Sequence, residues 1–350
     1  MTEKTRQEKG CRRRSVIGIF CLSFILGMSA LTALSPAQSV TFFRIGTGST
    51  SGTYFPIGTL IGTTITGPPG SRSCEDGGSC GVPGLIAAAQ TTRGSVANIK
   101  GVLSGNLETG LAQSDIVHAA AKGQGVFKGN KQAQKDLRVI ANLYPENVHL
   151  VVRKAANIKT VADLKGKRIS IDLSGSGTRE NAKAILSAYK IGEKDYIPVT
   201  ANPDKSIRFL QENKLDAFFF VAGYPAIAVA ELASNGLVDL LPITGKEAQD
   251  LIQAHPFFST SNIPAGTYVG IGEVETLAVS TQWIVSAKMD DDLVYAITRA
   301  LWHPRNRVLL DGGHAKGRLI RLETALEGVG NLLHSGARKF YMEIRSEEDG

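Results

Sequence analysis

The chain has 350 residues, 43% hydrophobic and 20% charged, with 38 glycines. That is globular material for about two domains, and with no repeat of 20–50 residues a solenoid is excluded. The formal charge of +7 falls to about +3 once residues 1–37 are set aside, because they hold six Lys/Arg against two Asp/Glu, so the basic balance gives no ground for a nucleic-acid partner.

The N-terminus reads as an export signal. Lys4, Arg6, Lys9, Arg12, Arg13 and Arg14 precede an uncharged apolar run over 16–34, and Ser35-Pro36-Ala37 offers small residues for cleavage after Ala37. A retained signal-anchor is the competing reading, since the run is nearly long enough to span a bilayer. Arg13-Arg14-Ser15 leaves a twin-arginine signal open. Export puts the mature chain in the periplasm. Cys11 and Cys21 fall in this leader; Cys74 and Cys80, flanking a Gly-Gly turn, pair as a local disulfide.

After the leader, strand and helix alternate. A strand over 40–45 leads through a Gly/Ser/Thr loop to a helix over 55–65, and a Pro/Gly-rich loop over 67–84 carries the cysteine pair. A buried strand follows over 85–90, then a helix from about 96 and a short strand over 111–113. Asp115 either caps the next helix or touches ligand. Residues 123–135 read as a polar loop, and 137–143 and 149–153 as two strands separated by Tyr144-Pro145-Glu146. A short helix over 160–164 closes at Gly166, and a strand over 168–172 enters a second Gly/Ser loop and a helix over 179–189. Then come a strand near 195–199, a helix over 206–213, an aromatic strand over 216–222 that breaks at Gly223-Tyr224-Pro225, a helix over 226–233 and a strand over 238–242 expected to return to the first lobe. A helix over 246–254, an irregular stretch over 255–272, a strand within 275–287 and helices over 290–301 and 319–326 complete the chain. The alternation predicts α/β architecture with mainly parallel sheets.

Two stretches answer each other across more than a hundred residues: Arg44-Ile45-Gly46-Thr47-Gly48-Ser49-Thr50-Ser51-Gly52-Thr53-Tyr54 and Ile169-Ser170-Ile171-Asp172-Leu173-Ser174-Gly175-Ser176-Gly177-Thr178. Each is a strand running through glycines and hydroxyls into a helix. The glycines allow close approach, the hydroxyls donate and accept, and the first amides of a helix lack partners at a positive dipole end. Such a loop either holds a carboxylate or phosphate or is an ordinary helix cap. No Gly-Lys-Ser/Thr follows, and the glycine spacing is one residue too long for a dinucleotide fingerprint.

These residues carry a family likeness. Arg44-Ile45-Gly46-Thr47-Gly48-Ser49-Thr50-Ser51-Gly52-Thr53-Tyr54-Phe55-Pro56-Ile57-Gly58, Gly94-Ser95-Val96-Ala97-Asn98, Gln113-Ser114-Asp115 and the run from Leu143 through Tyr144-Pro145-Glu146-Asn147 to Lys154 match it in order. So do Val161-Ala162-Asp163-Leu164-Lys165-Gly166-Lys167-Arg168, Gly175-Ser176-Gly177-Thr178, the segment from Asp216 to Gly223-Tyr224-Pro225, and Ile263-Pro264-Ala265-Gly266-Thr267-Tyr268. Over essentially the whole mature chain the sequence resembles the TAXI-type solute receptors of tripartite ATP-independent periplasmic (TRAP) transporters. It departs from the common pattern at Ser49 and Ser51, where glycine is frequent, and in the Cys74–Cys80 insertion. The resemblance implies a type II periplasmic-binding-protein fold, two α/β lobes joined by a two-segment hinge with ligand in the cleft. The expected division is a leader over 1–37, a first lobe over 38–148 plus 245–350 and a second over 149–244.

The implied function is capture of a small organic acid or amino acid, such as glutamate, a 2-oxoacid or a dicarboxylate, and its delivery to ion-coupled TRAP permease subunits. The expected ligand residues are Gly48, Ser49, Thr50, Gly52, Thr53 and Tyr54 in the first loop, Ser95, Asn98 and Gln113 beside it, Ser174, Ser176, Gly177 and Thr178 in the second loop, and Gly223 and Tyr224 closing over. Tyr54, Tyr224 and Tyr268 each have a packing role as the alternative, and Arg179 is either a carboxylate clamp or a solvated helix residue. No cofactor or metal is expected: His118, His149, His255, His303, His314 and His334 lack ligand spacing, and the cysteine pair has no third ligand in sequence. An enzyme on a similar fold is the alternative, but no nucleophile elbow is present.

Overall fold

The computed structural model describes residues 40–348, so the expected leader lies outside the described residues. No helix among them is long and apolar enough to cross a membrane.

Strands β1 (Thr41–Gly46), β2 (Leu85–Gln90) and β3 (Thr109–Gln113) alternate with helices α1 (Tyr54–Ile65), α2 (Ser95–Leu103) and α3 (Ser114–Lys122). A short helix, α4 (Lys131–Asp136), occupies the stretch expected to be loop, with Asn130 accepting from the Ala133 amide as its cap. It feeds β4 (Leu137–Arg153). Next come β5 (Arg168–Ser170), α5 (Gly177–Ala188), β6 (Ile197–Pro198), α6 (Pro203–Gln211), β7 (Ala217–Ala222), α7 (Ile227–Ser234), β8 (Val238–Leu241), α8 (Lys246–Ala254), β9 (Ser259–Ile263) and β10 (Val274–Ser286). Helices α9 (Asp291–Trp302), α10 (Arg307–Gly313) and α11 (Ser335–Glu348) close the chain.

One ten-stranded sheet runs in the order β2-β1-β3-β10-β4-β7-β5-β6, with β8 added to β4 and β9 to β10. The βα units give parallel pairs (β1 with β2 and β3, β5 with β6 and β7), whereas β10 and β4 run antiparallel to their neighbours. Period-two alternation splits the side chains between faces. Trp283 and Val285 join Ile45, Ile57 and Ile297 in one core while Ile284 joins Val96, Val117 and Val139 in another. In the second lobe, Phe219 and Val221 pack with Ile169 and Ile185, and Phe218 and Phe220 with Ile207 and Val229.

Further expectations change: residues 320–329 form turns where a helix over 319–326 was expected, and two more concern the crossing between lobes. The strands placed at 137–143 and 149–153 are one continuous strand of 17 residues, because Tyr144, Pro145, Glu146 and Asn147 pair with Thr281, Ser280, Val279 and Ala278 of β10. This is where the chain passes between lobes. The return crossing expected after 238–242 does not occur there. β8 adds antiparallel to Leu150–Arg153, and Ala248, Leu251 and Phe258 share a core with Ile169 and Ile185. Residues 245 to about 279 therefore pack with the second lobe, not the first, and β10 is the returning segment.

The Cys74–Cys80 disulfide forms as expected. The fold adds a neighbour, with the His303 Nε2 3.5 Å from the Cys74 sulfur. His303 and the two sulfurs fall within the spacing of a metal site, but both sulfurs are spent in the disulfide. Closing so short a loop is worth about 2–3 kcal/mol in the chain-entropy model. Reduction is expected to lower the urea-unfolding free energy by that amount, and an unchanged midpoint with both thiols free would refute it.

Candidate ligand-binding site

Helices α1, α2, α5 and α6 all begin at one half-open cavity between the lobes. Their N-cap residues Thr53, Gly94, Ser176 and Asn202 are in its wall. The cavity volume is about 70 Å³, room for a handful of water-sized groups. Asn202 caps α6 by accepting from the Lys205 amide at 3.0 Å. The N-caps of α1, α2 and α5 make no side-chain cap bond. Three helix starts thus present amide dipoles to the cavity without a local side-chain acceptor.

The hydroxyls that a cap would use are engaged elsewhere. Thr53 donates across the cleft to the Gly223 carbonyl at 2.5 Å, and Ser176 to Asp172 at 2.6 Å. Ser95 accepts from the Gln113 amide at 3.1 Å and lies 3.4 Å from the Tyr54 hydroxyl. Thr178 accepts from the Val221 amide at 3.1 Å. The lobes also meet through the Ala97 amide to the Gly175 carbonyl (2.9 Å), the Ala228 amide to the Ser51 carbonyl (3.1 Å), and the Asn181 amide group to Asp115 (2.6 Å). The cleft is closed.

Of the expected ligand residues, Gly48, Ser49, Gly52, Thr53, Tyr54, Ser95, Gln113, Ser176, Gly177 and Thr178 line this cavity. The other five do not. Thr50 and Ser174 are exposed loop residues outside it. Asn98 is fully buried behind the wall, where its amide donates to the Thr47 and Leu111 carbonyls at 2.7 Å each and its oxygen accepts from Thr92. Those strand-end carbonyls need donors once buried, which gives Asn98 a structural role. A side chain at Gly223 would meet the Lys316 stem at 2.5 Å, and the Tyr224 ring lies 3.6 Å from the Lys316 ammonium. Both therefore belong to the packing behind the wall. Tyr268 packs there too, its hydroxyl 2.9 Å from His149 and accepting from the Ala226 amide. Arg179 donates to the Asp172 carbonyl at 3.3 Å instead of reaching the cavity, and Asp115 sits in the first turn of α3 bonded to Asn181.

The wall also contains charged groups that sequence reasoning passed over: Arg93, Glu146 and Asp172. Arg93 forms no ion pair among the described residues. Glu146, 1% exposed on the crossing strand, accepts from the Thr281 hydroxyl, and burial pushes its carboxyl up to about 8. Burial also raises Asp172 to about 6, against the pull of the Ser176 hydroxyl and the Leu173 amide. Behind the wall, Lys316 is 1% exposed, its ammonium has no hydrogen-bond partner among the described residues, and burial lowers it to about 8 against the pull of Glu146. Glu146 is the one carboxylate in this 17-residue strand, a lone acid among apolar, amide and basic residues, and that was the signal available for it. Phe220, Val221 and Ala222 supply the apolar side of the cavity from the end of β7.

Residues 45–344 match the model of the NMT1-like family. The chain belongs to that family. Its fold is that of periplasmic binding proteins, and solved structures similar to it show the likeness at low identity. MatC from Rhodopseudomonas palustris with bound malate is 16% identical, covers 90% of this chain and 99% of its own, and superposes with a TM-score of 0.52. A protein of Bordetella bronchiseptica RB50 is 16% identical over 86% of this chain and 82% of its own, with a TM-score of 0.50. The alkanesulfonate-binding protein SsuA from Xanthomonas axonopodis pv. citri is 16% identical over 87% and 85%, with a TM-score of 0.46.

Proposed function

We propose that this NMT1-like protein is an extracytoplasmic solute receptor that captures a small carboxylate in the cleft and delivers it to a TRAP membrane permease. The observation that carries the reading is the convergence of α1, α2, α5 and α6 on one cavity, with three of the four starts lacking a side-chain cap. Helix starts with open amides hold an anionic group, and Arg93 adds a cation at the rim. The cavity is small, which favours an acidic amino acid such as glutamate, a 2-oxoacid or a dicarboxylate over a sugar or peptide; the malate bound to the similar MatC points the same way. The solute contacts are Gly48, Ser49, Gly52, Thr53, Tyr54, Ser95 and Gln113 on one lobe and Ser176, Gly177 and Thr178 on the other. Because both sets are met only in the closed state, binding shifts the receptor toward closure.

A thermal-shift panel of amino acids, oxoacids and dicarboxylates tests this. A true ligand at a hundredfold excess over Kd adds about 2.7 kcal/mol of stability. Absence of any shift, or chemical turnover of a compound in the panel, would remove the receptor reading in favour of another function. Reconstituted uptake driven by an ion gradient is expected for a TRAP partner, and a requirement for ATP would reassign the permease.

A further inference from the structure

We propose that closing the two lobes over an anionic solute takes up one proton from solution, and that this proton sits on the carboxyl of Glu146. The inference rests on the carboxylate reading above. It starts from a count of charges around this cavity. Two carboxyl groups, Glu146 and Asp172, line the cavity at 1% and 8% exposure, and Arg93 is the cation beside them. A solute anion added to two ionised buried carboxylates would face like charges with little solvent to screen them. Protonating one removes the conflict.

The neighbours select Glu146. Every element packed on it bears on its charge: the Thr281 hydroxyl from β10, the Tyr54 phenol from α1, Asp115 from α3, Lys316 from the segment after α10, and Tyr144 on its own strand. Lys316 is the cation in this set, and the stem of its side chain lies against Gly223 of the opposite lobe. With a proton on Glu146, the Lys316 ammonium loses the carboxylate that pulls on it, and the wall has one negative charge fewer for the solute to face. Asp172 is held differently. It accepts from the Leu173 amide and the Ser176 hydroxyl and is flanked by Arg179 as well as Asp204, so more of its ionised form is satisfied within its own lobe.

Glu146 also lies where the lobes join, opposite Val279 on the crossing strands. The wall in front of it is built half by Gly52–Tyr54 of one lobe and half by Ser176–Thr178 and Phe220–Ala222 of the other, so opening the cleft admits water to the carboxyl and returns it toward the ordinary range near 4. A group raised in the closed state favours closure fully below its open-state value, and that advantage is lost as pH rises toward the closed-state value of about 8. Asp172 and Asp115, raised to about 6, titrate mostly below this window and add a smaller fall in the same sense, and Lys316, lowered to about 8, acts in the opposite sense above it. Between pH 6.5 and 7.5, affinity is therefore expected to fall about five- to tenfold.

The test uses calorimetry of the full mature chain at pH 7.0, with whichever of L-glutamate, 2-oxoglutarate and L-malate gives the largest thermal shift. In phosphate and imidazole buffers the binding heats are expected to differ by the amount that uptake of about one proton per solute requires. Glu146→Gln, which keeps an acceptor for Thr281, is expected to abolish the difference and flatten the pH profile. Infrared spectroscopy of the unmutated protein adds a mutation-free readout: solute binding at pH 7 is expected to raise a protonated-carboxyl C=O band. Binding with equal heats in both buffers, or without that band, overturns the proton claim and leaves the receptor reading intact. Failure of all three acids to bind overturns the carboxylate reading, and this proposal with it.

Discussion

Gly177→Ala is expected to weaken binding of the solute about thirty- to a hundredfold. A Cβ at this position would lie 1.7 Å from the Gln113 Oε1 and 2.8 Å from the Ser95 Oγ. Both are buried, and both belong to the opposite lobe. In a rigid core, added volume of this kind costs about 1–3 kcal/mol. Here it is relieved by parting the lobes, so the cost falls on closure, where about 1.4 kcal/mol is a factor of ten in affinity. The variant is expected to keep most of its ligand-free thermal stability, since opening relaxes the overlap. Calorimetry with the solute identified by thermal shift reads the loss, and small-angle scattering is expected to show that saturating solute no longer compacts the chain. Wild-type affinity in this variant would mean that the observed contact between lobes is not the one the bound state uses.

Asp216→Ala is expected to destabilise the fold by about 3 kcal/mol, the largest effect on stability that we foresee from one polar side chain. Asp216 accepts from the Arg168 amide and Nε at 2.9 Å each, from the Arg168 Nη2 at 2.7 Å and from the Arg153 Nη2 at 2.8 Å. It ties together β4, which carries Glu146 midway, β5, which leads into Asp172, and β7, which carries Phe220. The alanine variant leaves two partly buried guanidinium groups facing each other. Arg168 first, and Arg153 after it, hold the carboxyl far below the ordinary range. For a depressed acid, the stabilisation is present above the unfolded value near 4 and is lost as pH falls below it. Urea unfolding of the wild-type protein is therefore expected to weaken from pH 4 downward, with the Asp216-dependent part missing from the variant. Equal stability of the two proteins at pH 7 would refute the claim.

The paired Gly/Ser/Thr loops were legible in the sequence because their chemistry is local. A strand, a run of glycines and hydroxyls and a helix start are consecutive in the chain, and ten of the residues picked from them and their neighbours line the cavity. The disulfide was legible for the same reason, its cysteines being six positions apart. Where locality fails, so did the reading. Asn98 carries the right chemistry one turn into α2, yet it points at the Thr47 and Leu111 carbonyls, which are buried only once β1, β3 and α2 are packed. Tyr224 has the aromatic face expected of a closing residue, and Lys316, from nearly a hundred residues further along, covers it.

The lobe boundary was misplaced because α8 is amphipathic by sequence but its apolar face has no address until α5 and β5 form the core that Ala248 and Leu251 complete. The C-terminal helix α11 went unread. Its few apolar positions, such as Phe340 and Tyr341, find a partner in the core beneath α9. Tertiary structure alone decided that Glu146 and Asp172 share a wall with Arg93. β4 brings the first from the crossing point, the end of β5 brings the second, and the loop before α2 brings the third. Sequence by itself placed both Gly/Ser/Thr loops between a strand and a helix start, and left open whether those starts were capped. Only the closed arrangement of the lobes decided which charges those starts must share a space with, because burial sets the charge state and burial is a property of the packed whole.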